Sequence, residues 1–357
     1  MARVYNFSAG PAALPESVLQ RMKDEVFNWQ GTGVSIMEIG HRTATFQDML
    51  ALLESKIRKL MNIPNNYKVL FLAGGGQGLF SLIPMNLTSK NKAVDYFVTG
   101  IWSDRAAKYA KRYADVNVVT TATSSNIPDK STWKLNPKAK YAFYCPNETI
   151  NGISFSQIPN TGNVPLVADL TSCILSQNID VSRYGVLFAA AQKNLGIAGI
   201  SLLIIRDDLL DEAYDSVPDV FNFKSQSENK SLLNTIPTFP VYMMDLIVDW
   251  VNEQGGVAKM EQNSLAKSSK LYKAIDESSF YNNLIETQYR SRINIPFSLP
   301  TQELLDKFLL EAEREGLKYL AGHALVGGAR ASMYNAMPEA GVNSLVDFMK
   351  YFASKYA

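Results

Sequence analysis

In Lys68-Val69-Leu70-Phe71-Leu72-Ala73-Gly74-Gly75-Gly76-Gln77-Gly78-Leu79-Phe80-Ser81-Leu82-Ile83 an apolar run meets a cluster of glycines and then a second apolar pattern. Residues 68–73 are short, apolar and free of Gly and Pro, which predicts a strand buried on both faces. Leu79, Phe80, Leu82 and Ile83 predict a helix after it. The glycines between them read as a tight turn. They read equally as a place where backbone N–H groups close on a phosphate, because a helix N-terminus carries partial positive charge. Two nucleotide motifs are excluded: a dinucleotide fingerprint needs a glycine where Leu79 stands, and the chain has no Gly-Lys pair for a P-loop.

The same strand pattern recurs outward from this stretch. Residues 93–99, 116–120, 141–145, 165–169, 186–191 and 200–206 are apolar runs bounded by glycine or polar turns, with helical stretches such as 103–113 between several of them. Strands alternating with helices predict an α/β fold whose mostly parallel, seven-stranded sheet is covered on both faces. Upstream, Pro15 with Val18, Leu19, Met22 and Val26 predicts an amphipathic helix ending near Gly31. Phe46, Met49, Leu50, Leu53, Ile57 and Leu60 predict a second. Residues 120–132 and 222–234 are rich in Ser, Thr and Asn and are expected to be loops. Past Pro240, helices are expected over 241–252, 257–278, 301–316 and 342–356, with a strand over 291–299. The expected organisation is an N-terminal arm over 1–15 with a large α/β domain over 16–240, then a smaller α+β C-terminal domain over 241–357.

A chain of 357 residues suits roughly two domains and buries about 75% of its unfolded surface without staples. Lys and Arg number 35 against 34 Asp and Glu, a net charge of +1. No global field therefore draws in nucleic acid or an anionic membrane, and an anionic ligand has to be caught by a local pocket. Two cysteines, Cys145 and Cys173, make no disulfide scaffold and fit a reducing compartment. His41 and His323 lie far apart with no Cys or His beside them, so no metal is expected. Residues 1–11 lack the apolar core of a signal peptide. Residues 195–205 are broken by glycines and end at Arg206, short of the about 20 apolar residues of a membrane span. A cytoplasmic protein is expected.

In open parallel sheets, ligands bind beyond the carboxyl ends of the strands. The strand over 165–169 ends in Asp169, and the strand over 186–191 is followed by Gln192 and Lys193. Each alone reads as a surface cap. An ionisable group ending a buried strand is otherwise paired or functional, since an unpaired buried charge is costly. Together with the glycine turn they match three needs of pyridoxal phosphate chemistry: a lysine for the Schiff base, a carboxylate to keep the pyridine nitrogen protonated, and a phosphate cradle. Trp102 follows the strand over 93–99 through Gly100, and it suits stacking on the pyridine face as well as it suits core packing.

Seven segments in order then make the chain resemble the phosphoserine aminotransferases, of the class V branch of fold type I pyridoxal phosphate enzymes. They are Asn6-Phe7-Ser8-Ala9-Gly10-Pro11 with Leu14-Pro15, His41-Arg42, Gly74 to Gly76, Cys145-Pro146-Asn147-Glu148-Thr149, Asp180-Val181-Ser182-Arg183-Tyr184-Gly185, Ala191-Gln192-Lys193-Asn194, and Gly327-Gly328-Ala329-Arg330-Ala331-Ser332. The resemblance implies reversible amino transfer between L-glutamate and 3-phosphohydroxypyruvate, giving 2-oxoglutarate and O-phospho-L-serine in serine biosynthesis. On a related four-carbon phosphorylated oxo acid the same activity would serve pyridoxine synthesis. By position the resemblance makes Lys193 the Schiff-base lysine and Asp169 the partner of the pyridine nitrogen. It places Trp102 on the ring and Thr149 near the cofactor's 3′-oxygen. It gives the phosphate to Gly76, Gln77 and Gln192, joined by Asn234 and Thr235 from the other subunit of a homodimer. Arg330 would take the substrate α-carboxylate, and His41 with Arg42 the distal phosphate or carboxylate.

The chain departs from that family at two places. An arginine commonly stands where it has Gln77, and another where it has Ala324, which leaves His41, Arg42 and His323 to balance a dianion. Backbone N–H groups at Gly76 and Gln77 need no particular side chain. Two other readings stand beside this one. The first is a class V enzyme for an unphosphorylated oxo acid, or a desulfurase using Cys145 or Cys173; the second is a catalytically silent pyridoxal phosphate binding protein.

Overall fold

The computed structural model describes residues 3–356. Strand β1 (Tyr5–Asn6) and helices α1 (Glu16–Glu25) and α2 (Ala44–Met61) precede an alternating section. That section runs β2 (Tyr67–Ala73), α3 (Gly76–Leu87), β3 (Ala93–Val98), α4 (Ile101–Ala110), β4 (Asp115–Thr121), β5 (Ala142–Tyr144), β6 (Leu166–Asp169), β7 (Val186–Ala190) and β8 (Ile200–Arg206). After it come α5 (Phe223–Glu228), α6 (Thr238–Glu253), α7 (Gly256–Asp276), β9 (Asn294–Phe297), α8 (Gln302–Arg314), β10 (Leu317–Lys318), β11 (Ala329–Ser332) and α9 (Glu339–Tyr356).

Seven strands form one sheet in the order β2-β8-β7-β6-β5-β3-β4. Only β8 runs against its neighbours, β2 and β7; every other pairing in the sheet is parallel. This is the mostly parallel, seven-stranded sheet read from the sequence. Successive side chains of a strand point to opposite faces, and the core divides accordingly. Val69 and Phe71 of β2 pack with Leu187, Leu202 and Ile204 beneath Leu50 and Leu53 of α2 and Met244 and Val248 of α6. Leu70 and Leu72 face the other way, with Phe188, Leu203 and Ile205, beneath Phe80 and Ile83 of α3 and Ala106 and Ala110 of α4. Because both faces are covered, the strands read as continuous apolar runs and not as alternating ones. Each fully buried Leu or Phe contributes about 1.5–3 kcal/mol, so these two layers hold the strand ends in place.

A second core lies beyond α7. There β9 and β11 pair antiparallel, with Arg330 opposite Pro296. Ile295, Phe297, Ala329 and Ala331 pack with Leu271 of α7, Phe308 of α8 and Leu345 and Phe352 of α9. Phe7 joins this core, β1 pairs with β10, and the Ala12 N–H donates to the Gln192 carbonyl at 2.9 Å. The N-terminal arm is thus tied at one end to the second core and at the other to the segment after β7.

Two departures from expectation have local causes. The segment over 222–234 opens with α5, whose cap is the Asn222 side chain accepting from the Ser225 N–H at 3.0 Å. A six-residue helix held by a cap and by buried Phe223 leaves no period to read. The helix expected from Pro15 to near Gly31 ends at Glu25, and a 3-10 turn over Trp29–Gly31 follows, with Trp29 buried in the first core. No helix among the described residues is long and apolar enough to cross a membrane.

Candidate active site

Strands β2, β3, β5, β6 and β7 all end on the same edge of the sheet, and a cavity of about 670 Å³ opens there. Gly76, Gln77, Trp102 and Thr149 line one part of it, and Asp169, Gln192, Lys193, His323 and Arg330 the rest. They come from the end of β6, from the segments that follow β2, β3, β5 and β7, and from β11 and the loop before it.

The glycine turn after β2 is closed by the Gly74 N–H donating to the Gly199 carbonyl at 2.9 Å, with Gly74 at φ +110°. That left-handed backbone favours glycine. It lets α3 begin at once, so the first-turn N–H groups of Gly76 and Gln77, which have no acceptor inside the helix, border the cavity. Such a helix N-terminus suits an anion.

Trp102 sits in the first turn of α4, and a buried carboxylate fixes it there. Glu148 Oε2 accepts from the Trp102 N–H at 3.0 Å and Oε1 from the Ser103 N–H at 2.8 Å. The Trp102 indole Nε1 donates to Thr149 Oγ1 at 2.9 Å. Gly100 has to be glycine, because a Cβ there would lie 2.5 Å from Glu148 Cγ and Cδ. Burial pushes the Glu148 carboxyl above its ordinary value, the Ser103 and Trp102 donors oppose that, and Asp169 adds to it. The sequence reading missed Glu148; the signal lies in the close approach at Gly100, which only the fold reveals.

Asp169 ends β6, and its Oδ1 accepts from the Thr171 N–H at 2.9 Å. Thr171 Oγ1 in turn accepts from the Ala190 N–H at 3.1 Å, which ties the ends of β6 and β7 together. Burial raises the Asp169 carboxyl, opposed by the Thr171 hydrogen bonds and by the Lys193 ammonium. Lys193 Nζ lies 5.9 Å from the Trp102 ring centroid. No carboxylate among the described residues comes within salt-bridge distance of it, and its stem packs near Gly10, where a Cβ would be 3.5 Å from Lys193 Cε. An amine free of a carboxylate and facing a cavity is placed to act as nucleophile and base.

A polar chain joins this floor to the second core. Asn147 Nδ2 donates to Ser172 Oγ and to Asn294 Oδ1, both at 2.9 Å. Asn294 Nδ2 donates to Ser332 Oγ at 2.9 Å, and the Tyr334 hydroxyl donates to the Ala9 carbonyl at 2.7 Å. Arg330, on β11, donates from Nη1 to the Thr149 carbonyl at 3.0 Å. Burial lowers its guanidinium below the ordinary value.

Four expected site residues lie outside the cavity. Arg42 and Thr235 are exposed, and Asn234 Oδ1 accepts from Gln226 Nε2 at 3.0 Å. His41 is buried, and its Nε2 has no hydrogen-bond partner among the described residues. At the rim, Ala324 is exposed and Gln77 Oε1 accepts from Arg105 Nη1 at 3.2 Å and from the Tyr109 hydroxyl at 3.3 Å. Arg105 and Tyr109 also escaped the sequence reading, being ordinary surface residues of a helix by pattern.

Residues 4–345 match the family model of class-V aminotransferases. The chain is 48% identical to a phosphoserine aminotransferase of a Marinomonas species over 100% of both chains. It is 49% identical to one of Acinetobacter baylyi over 99% of both. Among solved structures, pyridoxal phosphate-bound phosphoserine aminotransferase from Trichomonas vaginalis superposes with a TM-score of 0.95 at 39% identity, covering 98% of this chain and 100% of that one.

Proposed function

The chain belongs to the phosphoserine aminotransferases within the class-V aminotransferase family, and from that membership we infer that it is a pyridoxal 5′-phosphate-dependent enzyme of serine biosynthesis. It moves an amino group reversibly between L-glutamate and 3-phosphohydroxypyruvate, with 2-oxoglutarate and O-phospho-L-serine as the other pair. One observation carries the reading of the site. A lysine, a buried carboxylate, an indole and an open helix N-terminus, each from a different strand end, converge on one cavity.

The residues present suit that cofactor. The α3 N-terminus offers unpaired N–H donors beside the cavity. Asp169 borders the same cavity, with Oδ1 held by Thr171. Pyridoxal phosphate supplies there an electron sink for negative charge developing at the amino acid's α-carbon. The chain's own residues do the rest. Gly76 and Gln77 N–H groups, with Gln192, hold the phosphate. Asp169 would keep a proton on the ring nitrogen, and Trp102, with Thr149 beside it, would cover a ring face. Arg330 takes the substrate α-carboxylate through parallel N–H bonds. Lys193 Nζ removes the α-proton as general base and gives it up again as general acid.

The assembly belongs to the same proposal. His41, Arg42, Asn234 and Thr235 stand outside their own cavity. The exposure of Arg42 and Thr235 supports a homodimer in which these segments complete the cavity of a second copy, Asn234 and Thr235 at the cofactor phosphate and His41 with Arg42 at the distal anion of the substrate, with His323 at the rim. We also place the enzyme in the cytoplasm, with a second role in pyridoxine synthesis. The two separate cores support the division into an arm over 1–15, a large domain over 16–240 and a small one over 241–357, with α6 as the connecting helix, which packs on the first core.

The desulfurase reading is disfavoured by the thiols. Both are buried; burial pushes the Cys145 thiol well above its ordinary value and that of Cys173 up to about 12, whereas a reactive cysteine is an accessible thiolate. The test of the proposed function is steady-state transfer from glutamate to 3-phosphohydroxypyruvate and to hydroxypyruvate. Preference for the phosphorylated acceptor is expected. Preference for hydroxypyruvate, or no transfer to either, overturns it.

A further inference from the structure

Helix α4 presents Trp102, Arg105 and Tyr109 at three- and four-residue steps, so the three share one face. Trp102 lines the cavity; Arg105 and Tyr109 reach Gln77, which also lines it. The Arg105 guanidinium lies 5.0 Å from the Trp102 ring centroid, a cation–π arrangement that holds it at the cavity's edge. Its charge is not neutralised locally. The nearest acidic residue in sequence, Asp104, pairs with Lys108 at 2.6 Å, and Arg105 makes none of the ion pairs found among the described residues. Of the five N–H donors of a guanidinium, Nη1 donates to a neutral amide oxygen, which orients the group and leaves its charge uncompensated.

We propose that Arg105 is a specificity-determining residue that takes the distal anion of the substrate at the mouth of the cavity. The proposal rests on the reading of the site as one for amino and oxo acids with an anion at each end. Arg330 and Lys193 lie inside the cavity and are given to the α-carboxylate and to proton transfer. A second anion therefore needs cations at the mouth of the cavity: beside the Arg42 proposed to come from a second copy, Arg105 is the permanent cation that the cavity's own chain holds against Gln77 and Trp102, with His323 bordering the same cavity. Trp102 and Gln77 position it. Tyr109, sharing the Gln77 oxygen, keeps that amide turned with its acceptor toward the guanidinium.

The experiment compares the wild-type holoenzyme with Arg105→Gln and Arg105→Lys. Losing one charge-assisted pair corresponds to about a 10- to 100-fold change in binding. The KM for 3-phosphohydroxypyruvate should rise by that factor in Arg105→Gln and recover in part in Arg105→Lys, with kcat within about twofold. The KM for hydroxypyruvate, which lacks a distal anion, should stay unchanged. Inorganic phosphate, followed by the quenching of tryptophan fluorescence, should bind the wild type more tightly than Arg105→Gln. Three results overturn the proposal: an equal rise for both acceptors, which marks lost packing; weaker cofactor binding by the apo-protein with acceptor KM unchanged, which assigns Arg105 to the cofactor's phosphate; or no change at all. A wild type that ignores the phosphorylated acceptor overturns the substrate reading instead, and the phosphate-binding comparison then still decides the role of Arg105.

Discussion

The floor and the rim of the cavity are built in different ways. On the floor, Asp169, Thr171 and Lys193 sit at or just after strand ends, with Glu148 buried behind Trp102, and backbone N–H groups fix the two carboxylates at 2.8–3.0 Å. At the rim, Gln77, Arg105, His323 and Ala324 are side chains of helix faces and of an exposed loop where Leu325 is 70% exposed. Floor positions follow from the sheet, which the two covering layers hold rigid. Rim positions depend on single side chains, and four residues proposed for it or for the cofactor phosphate lie outside this chain's own cavity. The contrast assigns chemistry to the floor and choice of substrate to the rim, and it orders the effects of substitution.

The largest effect is expected from Lys193→Ala. Removing the base and nucleophile should slow the half-reaction with glutamate by about 10⁴-fold, measured by single turnover; a loss below about tenfold would break the assignment of chemistry to the floor. Asp169→Asn comes next. A neutral amide no longer favours the protonated ring nitrogen, so the same half-reaction should slow by about 10²–10³-fold with cofactor still bound. That variant also carries a pH signature. Burial raises the Asp169 carboxyl in the folded state, so between its unfolded and folded values the folded protein holds the extra proton and stability falls as pH rises through that window. Apo Asp169→Asn should therefore be more stable than the apo wild type above the window, with the difference vanishing toward acid. Denaturant midpoints across pH check the sign.

Glu148→Gln has a smaller effect. It sets an amide N–H₂ against one of the two backbone donors of α4, leaving a buried donor unpaired at a cost of about 1–3 kcal/mol. Unfolding midpoints should drop, and the tryptophan emission should shift as Trp102 loosens. The smallest effect is expected from cations added at the rim. Ala324→Arg adds an exposed cation beside His323, worth about 0.2–1 kcal/mol. The KM for 3-phosphohydroxypyruvate should fall by about 1.4- to fivefold with hydroxypyruvate unaffected. Gln77→Arg should gain less, because it would bring a second guanidinium against Arg105. A rim change that slowed the chemical step as much as Asp169→Asn would erase the distinction.

How much of this was legible in the sequence follows the same division. The strands were readable because both of their faces are buried, so Val69 and Leu70 are apolar for different layers of the core. Asp169 and Lys193 stood out because polar residues close apolar runs. Glu148 did not, since its partners Trp102 and Ser103 lie over forty positions away in the chain and meet it only through strand order. Strand β11 was hidden because four residues preceded by Gly327 and Gly328 give no alternation to read, and it is specified by pairing with β9. Arg105 looked like a solvated helix residue because its meaning lies in what it lacks, a carboxylate partner. The places of His41, Arg42, Asn234 and Thr235 cannot be derived from one chain's periodicity when the cavity they are proposed to complete is that of another copy.

The most direct measurement is borohydride reduction of the purified protein with pyridoxal phosphate, followed by peptide mapping, with and without excess L-glutamate added first. The account predicts a single pyridoxyl label on Lys193 that is lost when glutamate precedes the reductant. A label on another lysine, or a Lys193 label that persists with glutamate present, would contradict it.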